Sequence, residues 1–373
     1  MRRVFICIIL SIALIAASIP CYAARQSELS LSARGAILID MHEGCVLYEK
    51  NARERMPMAS TTKIATALVV TELLSPDAII KIPHEAVGIE GSSVYLCEGE
   101  LLTVRELLYA LLLESANDAA VALAIASAGS VERFADKCNE KALSLGLCDT
   151  NFTNPHGLYD ENHYTTAYDL AMLSAEALKS ELLGEIFKSK TAKIPYGVTS
   201  EQPNGEGTRT LKNHNKMLSL YKGSIGMKTG FTKKSGRCLV SAAERNGLTL
   251  IAVTLNAPDD WRDHTAMLDY GFERYEYKTI YGAMEFSYDF PISNAECEFV
   301  SAKNLTDIKI LLPKESQNVS TTVEAHFRFA IAPVGSGQIM GKLCVYANGK
   351  AYCSTLVSTE AVSAKKEKFS FLK

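Results

Sequence analysis

A chain of 373 residues with 47% hydrophobic residues can bury more than one core, and two domains are the starting expectation. A formal net charge of −3 at pH 7 and a pI near 6.2 leave no broad basic field for gripping a phosphate backbone, which excludes nucleic acid as the expected partner. Ten cysteines include no Cys-x-x-Cys pair, and the histidines form no His-x-x-x-His pair, so no metal centre and no cofactor are expected.

At the N-terminus Arg2-Arg3 precede an apolar run from Val4 to Ile19 and then Pro20-Cys21-Tyr22-Ala23-Ala24, with small residues at the −3 and −1 positions of a cut after Ala23. Residues 1–23 read as a secretory signal peptide, the run being short for an uncleaved membrane anchor, and the rest of the chain is expected outside the cytoplasmic membrane. Gly35 to Met41 and Cys45 to Glu49 read as a β-hairpin. A helix starts near Ser60, continues through Ile64, Ala67 and Leu68, and stops at Ser75-Pro76-Asp77. Thr103 and Glu106 form a capping box for a helix through Leu113, and a second helical pattern resumes after Asn117 and runs to Ala126. Ser130 caps a helix ending at Gly146, and Thr166 with Asp169 caps one through Leu178, so the middle of the chain is predicted helical.

From Gly223 the period changes. Ile225 to Gly230, Arg237 to Glu244 and Leu248 to Asn256 are predicted strands, the last two joined by an Asn246-Gly247 type I′ turn, and all should pair with the N-terminal hairpin. A helix around Thr265 to Tyr270 closes this unit, an α+β domain over 24–277 in which helices flank an antiparallel sheet. Residues 278–360, with short alternating runs such as Asp307 to Leu311, Val323 to Phe327 and Lys342 to Tyr346, are expected to form a small all-β domain. There an Asn348-Gly349 turn would set Ala347 opposite Lys350 and Cys344 opposite Cys353, close enough for a disulfide or two adjacent thiols. The tail, 361–373, holds four lysines and two phenylalanines, which suit either a disordered basic end or a peripheral membrane contact.

Ser60 and Lys63 lie one turn apart at a helix start, where a desolvated lysine can lose its proton and activate the serine. The bland alternative is an N-cap serine with a surface lysine, and Ser-x-x-Lys recurs at Ser219/Lys222, Ser363/Lys366 and Ser370/Lys373. Context separates them. Ser115 and Asn117 fall in a break between helices, and Lys228-Thr229-Gly230, present once in the chain, falls on a strand whose glycine lets a substrate backbone lie against the edge.

With these three motifs in order, the chain resembles the penicillin-binding protein and serine β-lactamase superfamily. More closely it resembles the low-molecular-weight D-alanyl-D-alanine carboxypeptidases of peptidase family S11, over roughly Leu31 to Tyr275. The resemblance implies a transpeptidase-like fold, peptidoglycan stem peptides as substrate, and β-lactams as covalent inhibitors. It implies attack by Ser60 with Lys63 as base, proton relay by Ser115, a substrate amide held by Asn117, and positive potential from Lys228. The backbone N–H groups of Ser60 and Phe231 would form the oxyanion hole, with Thr229 and Arg262 for the terminal carboxylate. His156 and His163 are read as loop hydrogen-bonding residues, Trp261 as packing, and Asp118 as a first-turn helix charge. A class A β-lactamase would need a deacylating glutamate in Glu-x-x-Leu-Asn, and no such pentad lies between Ser115 and Lys228. A non-catalytic β-lactam sensor or peptidoglycan binder would need neither Ser60 nor Lys63. Transpeptidation stays open, since the superfamily motifs do not fix the acceptor.

Overall fold

The computed structural model describes residues 29–315, 320–325, 330–347 and 350–365. The expected signal peptide, the Asn348-Gly349 turn, His326 and Phe327 of one expected strand, and the tail from Lys366 onward lie outside the described residues.

The N-terminal hairpin forms as β1 (Gly35–Asp40) and β2 (Val46–Lys50). The later strands are β7 (Ser224–Thr232), β8 (Gly236–Arg245) and β9 (Leu248–Leu255), and together they make a five-stranded antiparallel sheet of order β2-β1-β9-β8-β7. Strands at opposite ends of this segment therefore pair, with β1 lying along β9. Asn246 and Gly247 both take positive φ, 51° and 77°, as a type I′ turn between β8 and β9 requires.

The inner strands read as continuous apolar runs because both faces of the sheet are covered. Side chains alternate across a strand, so Ile37 and Ile39 enter one core while Ala36 and Leu38 enter the other. The first core is helical. It holds α1 (Lys63–Leu73), α2 (Val104–Leu113), α3 (Asn117–Ala128), α4 (Val131–Ser144), α5 (Ala167–Leu178) and α6 (Glu181–Lys188). The capping box Thr103/Glu106 closes reciprocally, and Ser130 and Thr166 cap as the sequence indicates. After the short α7 (Met217–Leu220), α8 (Asp260–Arg274) covers the opposite face through Met267 and Leu268.

The middle of the chain is not purely helical. It also contains β3 (Ile79–Lys81) paired with β4 (Leu101–Thr103), and β5 (Thr191–Tyr196) paired with β6 (Gly207–Lys212). Within β5 only Ile194 is buried, so these segments carry little apolar alternation to announce a strand.

Past α8 the chain enters β10 (Tyr275–Tyr281), which pairs with β13 (Ile308–Pro313). A six-stranded sheet follows, built from β11 (Ser287–Ser293), β12 (Phe299–Asn304), β14 (Ser320–Ala325), β15 (Ala330–Ile331), β16 (Ile339–Ala347) and β17 (Lys350–Ser358). Phe290, Val300, Met340 and Leu343 are buried in its core. Cys344 faces Cys353 in the β16–β17 ladder, 4.2 Å apart at Cα, and the two are joined by the expected disulfide.

Candidate active site

Among the described residues only β8 flanks β7 in the sheet, and the turn Ala59–Thr62 lies against the other edge of β7. A Cβ added to Gly230 would stand 3.0 Å from Ser60 N and 3.1 Å from Thr61 N, so glycine is what allows this approach. Ala59 takes φ 48°, a left-handed conformation that turns the chain into Ser60. Thr61 Oγ1 donates to the Met58 carbonyl and Thr62 Oγ1 to the Ala59 carbonyl, which ties the turn down from both hydroxyls.

Lys63 follows as the first residue of α1 and is fully buried. Its Nζ lies 3.2 Å from Ser60 Oγ, 2.7 Å from Asn117 Oδ1 and 2.6 Å from the His156 carbonyl. Burial first, and the charge of Lys228 second, hold its pKa well below the ordinary lysine value. A neutral amine has two hydrogens and one lone pair. Asn117 Nδ2 donates to the Glu90 carbonyl at 2.6 Å, so its Oδ1 is the atom turned to Lys63. Both short partners only accept, so in the neutral form of the amine both hydrogens go to them and the lone pair faces the hydroxyl of Ser60. The reading of this pair as a cap and a surface lysine does not survive the burial of Lys63.

The helix break forms as expected. Ser115, between α2 and α3, takes φ 60° and is 8% exposed, and Asn117 opens α3 with its side chain inside the site. On β7, Lys228 is buried, donates to the Thr229 carbonyl at 2.9 Å, and is pushed down to about 7 by desolvation. Thr229 is half-buried, and Phe231 is exposed at the strand's end. Arg262 stands apart. Its side chain is exposed on the first turn of α8 and pairs with Asp259 at 3.4 Å, and among the described residues no contact joins it to Ser60.

Several supporting residues escape motif reading. Gly157, in Asn154-Pro155-His156-Gly157, has φ 86°, and a Cβ there would fall 1.9 Å from the Ala59 carbonyl oxygen. Thr66 Oγ1 donates to the Pro155 carbonyl at 2.6 Å, fastening this loop to α1. The signal was present as a Pro-x-Gly turn between helices, but nothing in it names the partner. His163 does bond within the loops. Its Nδ1 accepts from Thr153 N–H at 3.0 Å, so its Nε2–H donates to Thr62 Oγ1 at 2.7 Å, and burial lowers its pKa to about 4. Asp118 does more than charge a helix end. It is buried and accepts from Ser93 Oγ at 2.6 Å and from the N–H groups of Val94 and Leu96, pinning the loop that supplies the Glu90 carbonyl.

A serine on a turn entered through a left-handed Ala59, a buried lysine of lowered pKa behind it and the edge of β7 beside it come together on a serine β-lactamase-like fold. The family model for D-alanyl-D-alanine carboxypeptidase, peptidase S11, matches residues 22–259. The chain is 32% identical over 358 residues to the D-alanyl-D-alanine carboxypeptidase DacF of Bacillus subtilis, covering 94% of this chain and 90% of that protein. Among solved structures, penicillin binding protein 5 from Haemophilus influenzae superposes with a TM-score of 0.70 at 26% identity, over 90% of this chain and 99% of that one. The Streptomyces K15 DD-transpeptidase superposes with a TM-score of 0.62 at 34% identity, over 66% of this chain and 99% of that one. The chain belongs to the D-alanyl-D-alanine carboxypeptidase family, peptidase S11, and is a serine-type carboxypeptidase hydrolase.

Proposed function

We propose that this enzyme removes the terminal D-alanine from peptidoglycan pentapeptides through an acyl-enzyme on Ser60, and that β-lactams trap the same serine. The observation that carries this reading is the hydrogen-bond pattern of Lys63, which leaves a lone pair facing Ser60 Oγ. As Oγ bonds to the carbonyl carbon of the penultimate D-alanine, Lys63 takes the hydroxyl proton, and the oxyanion is held by the N–H groups of Ser60 and Phe231. The C–N bond then breaks, the leaving amine gains a proton through Ser115, and D-alanine departs. Water attacks the ester with Lys63 again as base, which releases the tetrapeptide and restores Ser60.

In this reading Asn117 orients the substrate amide, Gly230 lets the substrate backbone lie against β7, and Thr229 receives the terminal carboxylate in the field of Lys228. Arg262, already paired with Asp259, is a surface ion pair. We place the reaction outside the cytoplasmic membrane, with 1–23 removed as a signal peptide, a catalytic domain over 24–277, a β domain over 278–360 and a tail able to touch the membrane surface. Among the described residues no helix is long and apolar enough to cross a membrane.

Incubation of the purified protein with benzylpenicillin followed by intact-mass and peptide mapping tests this. A penicilloyl adduct on Ser60, together with D-alanine release from a pentapeptide, supports the reading. Equal labelling of Ser60→Ala protein would overturn it, and labelling without D-alanine release would favour the sensor.

A further inference from the structure

The turn between β1 and β2 meets the C-terminal strands at a polar cluster that the reaction at Ser60 does not use. Tyr352 on β17 donates its hydroxyl to Glu43 Oε2 at 2.7 Å, and Tyr277 on β10 donates to Asp40 Oδ2 at 2.9 Å. Side chains alternate along a strand, so Lys350 leaves β17 on the same face as Tyr352. Its Nζ donates to Cys45 Sγ at 2.9 Å and stands 3.8 Å from Glu43 Oε2, while the Cys45 thiol donates to that same oxygen at 3.5 Å. Asp40 is fully buried and its Oδ1 has no hydrogen-bond partner among the described residues, so this corner is rich in acceptors and retains the Lys350 ammonium. Among the free cysteines of the described residues, Cys45 is the one whose sulfur meets a lysine.

A sulfur, an amine and a carboxylate within mutual reach are what an oxidised thiol needs to be captured by nitrogen. Cys45 is half-buried and the Lys350 side chain is 50% exposed, so a small oxidant can reach the sulfur. Burial raises the thiol's pKa and the Lys350 ammonium opposes that rise, so the thiolate fraction is small and the first oxidation is slow. The capture that follows is fast. An amine held in contact can act at an effective concentration of roughly 10⁵ M, far above that of any second oxidant molecule.

We propose that Cys45 and Lys350 form a modification site, at which a peroxide joins the β1–β2 turn to β17 through a sulfenamide bond. The Cys45 sulfur attacks one oxygen of hydrogen peroxide and the O–O bond breaks. Sulfenic acid and one water result, the sulfur oxidised by two electrons and the peroxide reduced. Lys350 passes its ammonium proton to the Glu43 carboxylate, and its nitrogen attacks the sulfur. The S–O bond breaks as the S–N bond forms, the hydroxide leaves as a second water with the proton from Glu43, and one further proton passes from nitrogen to solvent. The product has two hydrogens fewer than thiol plus amine.

The test treats the purified protein with excess hydrogen peroxide, removes the oxidant with catalase, alkylates the remaining thiols and maps the digest by mass spectrometry without reductant. Wild-type protein should yield the Cys45 and Lys350 peptides joined and two hydrogens lighter than their sum, and dithiothreitol should separate them. The link spans 305 positions of the chain, so oxidised wild type should also run faster on a denaturing gel without reductant, a shift absent from Cys45→Ser protein. Lys350→Arg keeps a cation beside the sulfur but should lose the link completely, with Cys45 passing on to sulfinic acid. Wild-type Cys45 recovered unoxidised, as sulfinic acid or in a disulfide, with Lys350 unmodified, would overturn the site, and so would a cross-link from Cys45 that survives in Lys350→Arg.

Discussion

Lys63 Nζ stands 3.2 Å from Ser60 Oγ, while its two shorter contacts, to Asn117 Oδ1 and the His156 carbonyl, go to atoms that only accept. The amine is thus oriented by two groups outside the Ser-x-x-Lys motif, and burial favours its neutral, proton-accepting form. Lys63→Arg removes the base, because a guanidinium stays protonated and has no lone pair to take the serine proton. Acylation by benzylpenicillin should fall by about a thousandfold, within the usual range for losing a general base. A variant that is folded by circular dichroism and acylates within a factor of about ten of wild type would refute the assignment of Lys63 as base.

Gly157 shows how tightly the second support is built. Alanine there would place Cβ 1.9 Å from the Ala59 carbonyl oxygen at a backbone φ of 86°. Either the loop withdraws and the His156 carbonyl leaves Lys63, or Ala59 moves and the Ser60 turn loosens. Gly157→Ala should therefore cost about 2 kcal/mol or more in stability and lower acylation at least about a hundredfold. Urea unfolding and acylation kinetics on the same preparation check both, and near-wild-type values in each would show that the approach is not required.

How much of this was legible in the chain varied with the kind of signal. Ser60, Lys63, Asn117 and Lys228 were readable because each motif sat on an element with its own marker: a helix start, a break between helices, an apolar strand. The pairing of β1 with β9 followed from two runs of strand period at opposite ends of a helical stretch. The backbone groups were not readable. The His156 and Glu90 carbonyls hold Lys63 and Asn117, yet any residue type supplies a carbonyl. The hairpin of β5 and β6 was missed because each strand buries a single residue, Ile194 and Leu211, which leaves no alternation to detect. Arg262 was suggested only by its distance along the chain after Lys-Thr-Gly, and the structure gives it an exposed pairing with Asp259 at 3.4 Å.

Three histidines make stability depend on pH. Burial lowers His156 to about 3, His163 to about 4 and His264 to about 3, against an ordinary 6.5. Folded protein keeps them neutral while the unfolded chain protonates them, so their contribution is complete above about pH 6.5 and is lost as pH falls below it. Each adds a slope of up to about 1.4 kcal/mol per pH unit. His264 lies far from Ser60 in sequence, its Nδ1 2.5 Å from Ser241 Oγ and its Nε2 3.0 Å from Thr254 Oγ1. Chemical unfolding of wild type and His264→Asn at several pH values between about 7.5 and 5 should show a shallower fall in the variant, by about one proton's worth. Parallel curves would mean that His264 is protonated in the folded state.

Lys228 should set the alkaline limb of the reaction. Its pKa is pushed to about 7 by burial, and its charge is one of the causes that lower the pKa of Lys63. As pH rises through that value, the free enzyme loses the positive potential that attracts the substrate carboxylate, while Lys63 remains an effective base. The kcat/KM profile for D-alanine release should thus descend from near pH 7, because kcat/KM reports ionisations of the free enzyme. Lys228→Arg keeps its charge throughout this range, so its profile should stay level for at least about one further pH unit even though the larger head group lowers the rate. A neutral substrate amide in place of the terminal carboxylate should also lose the descending limb, since it has no charge for Lys228 to attract. If the limb persists unchanged in both experiments, another group titrates there and Lys228 is not the anion-attracting residue.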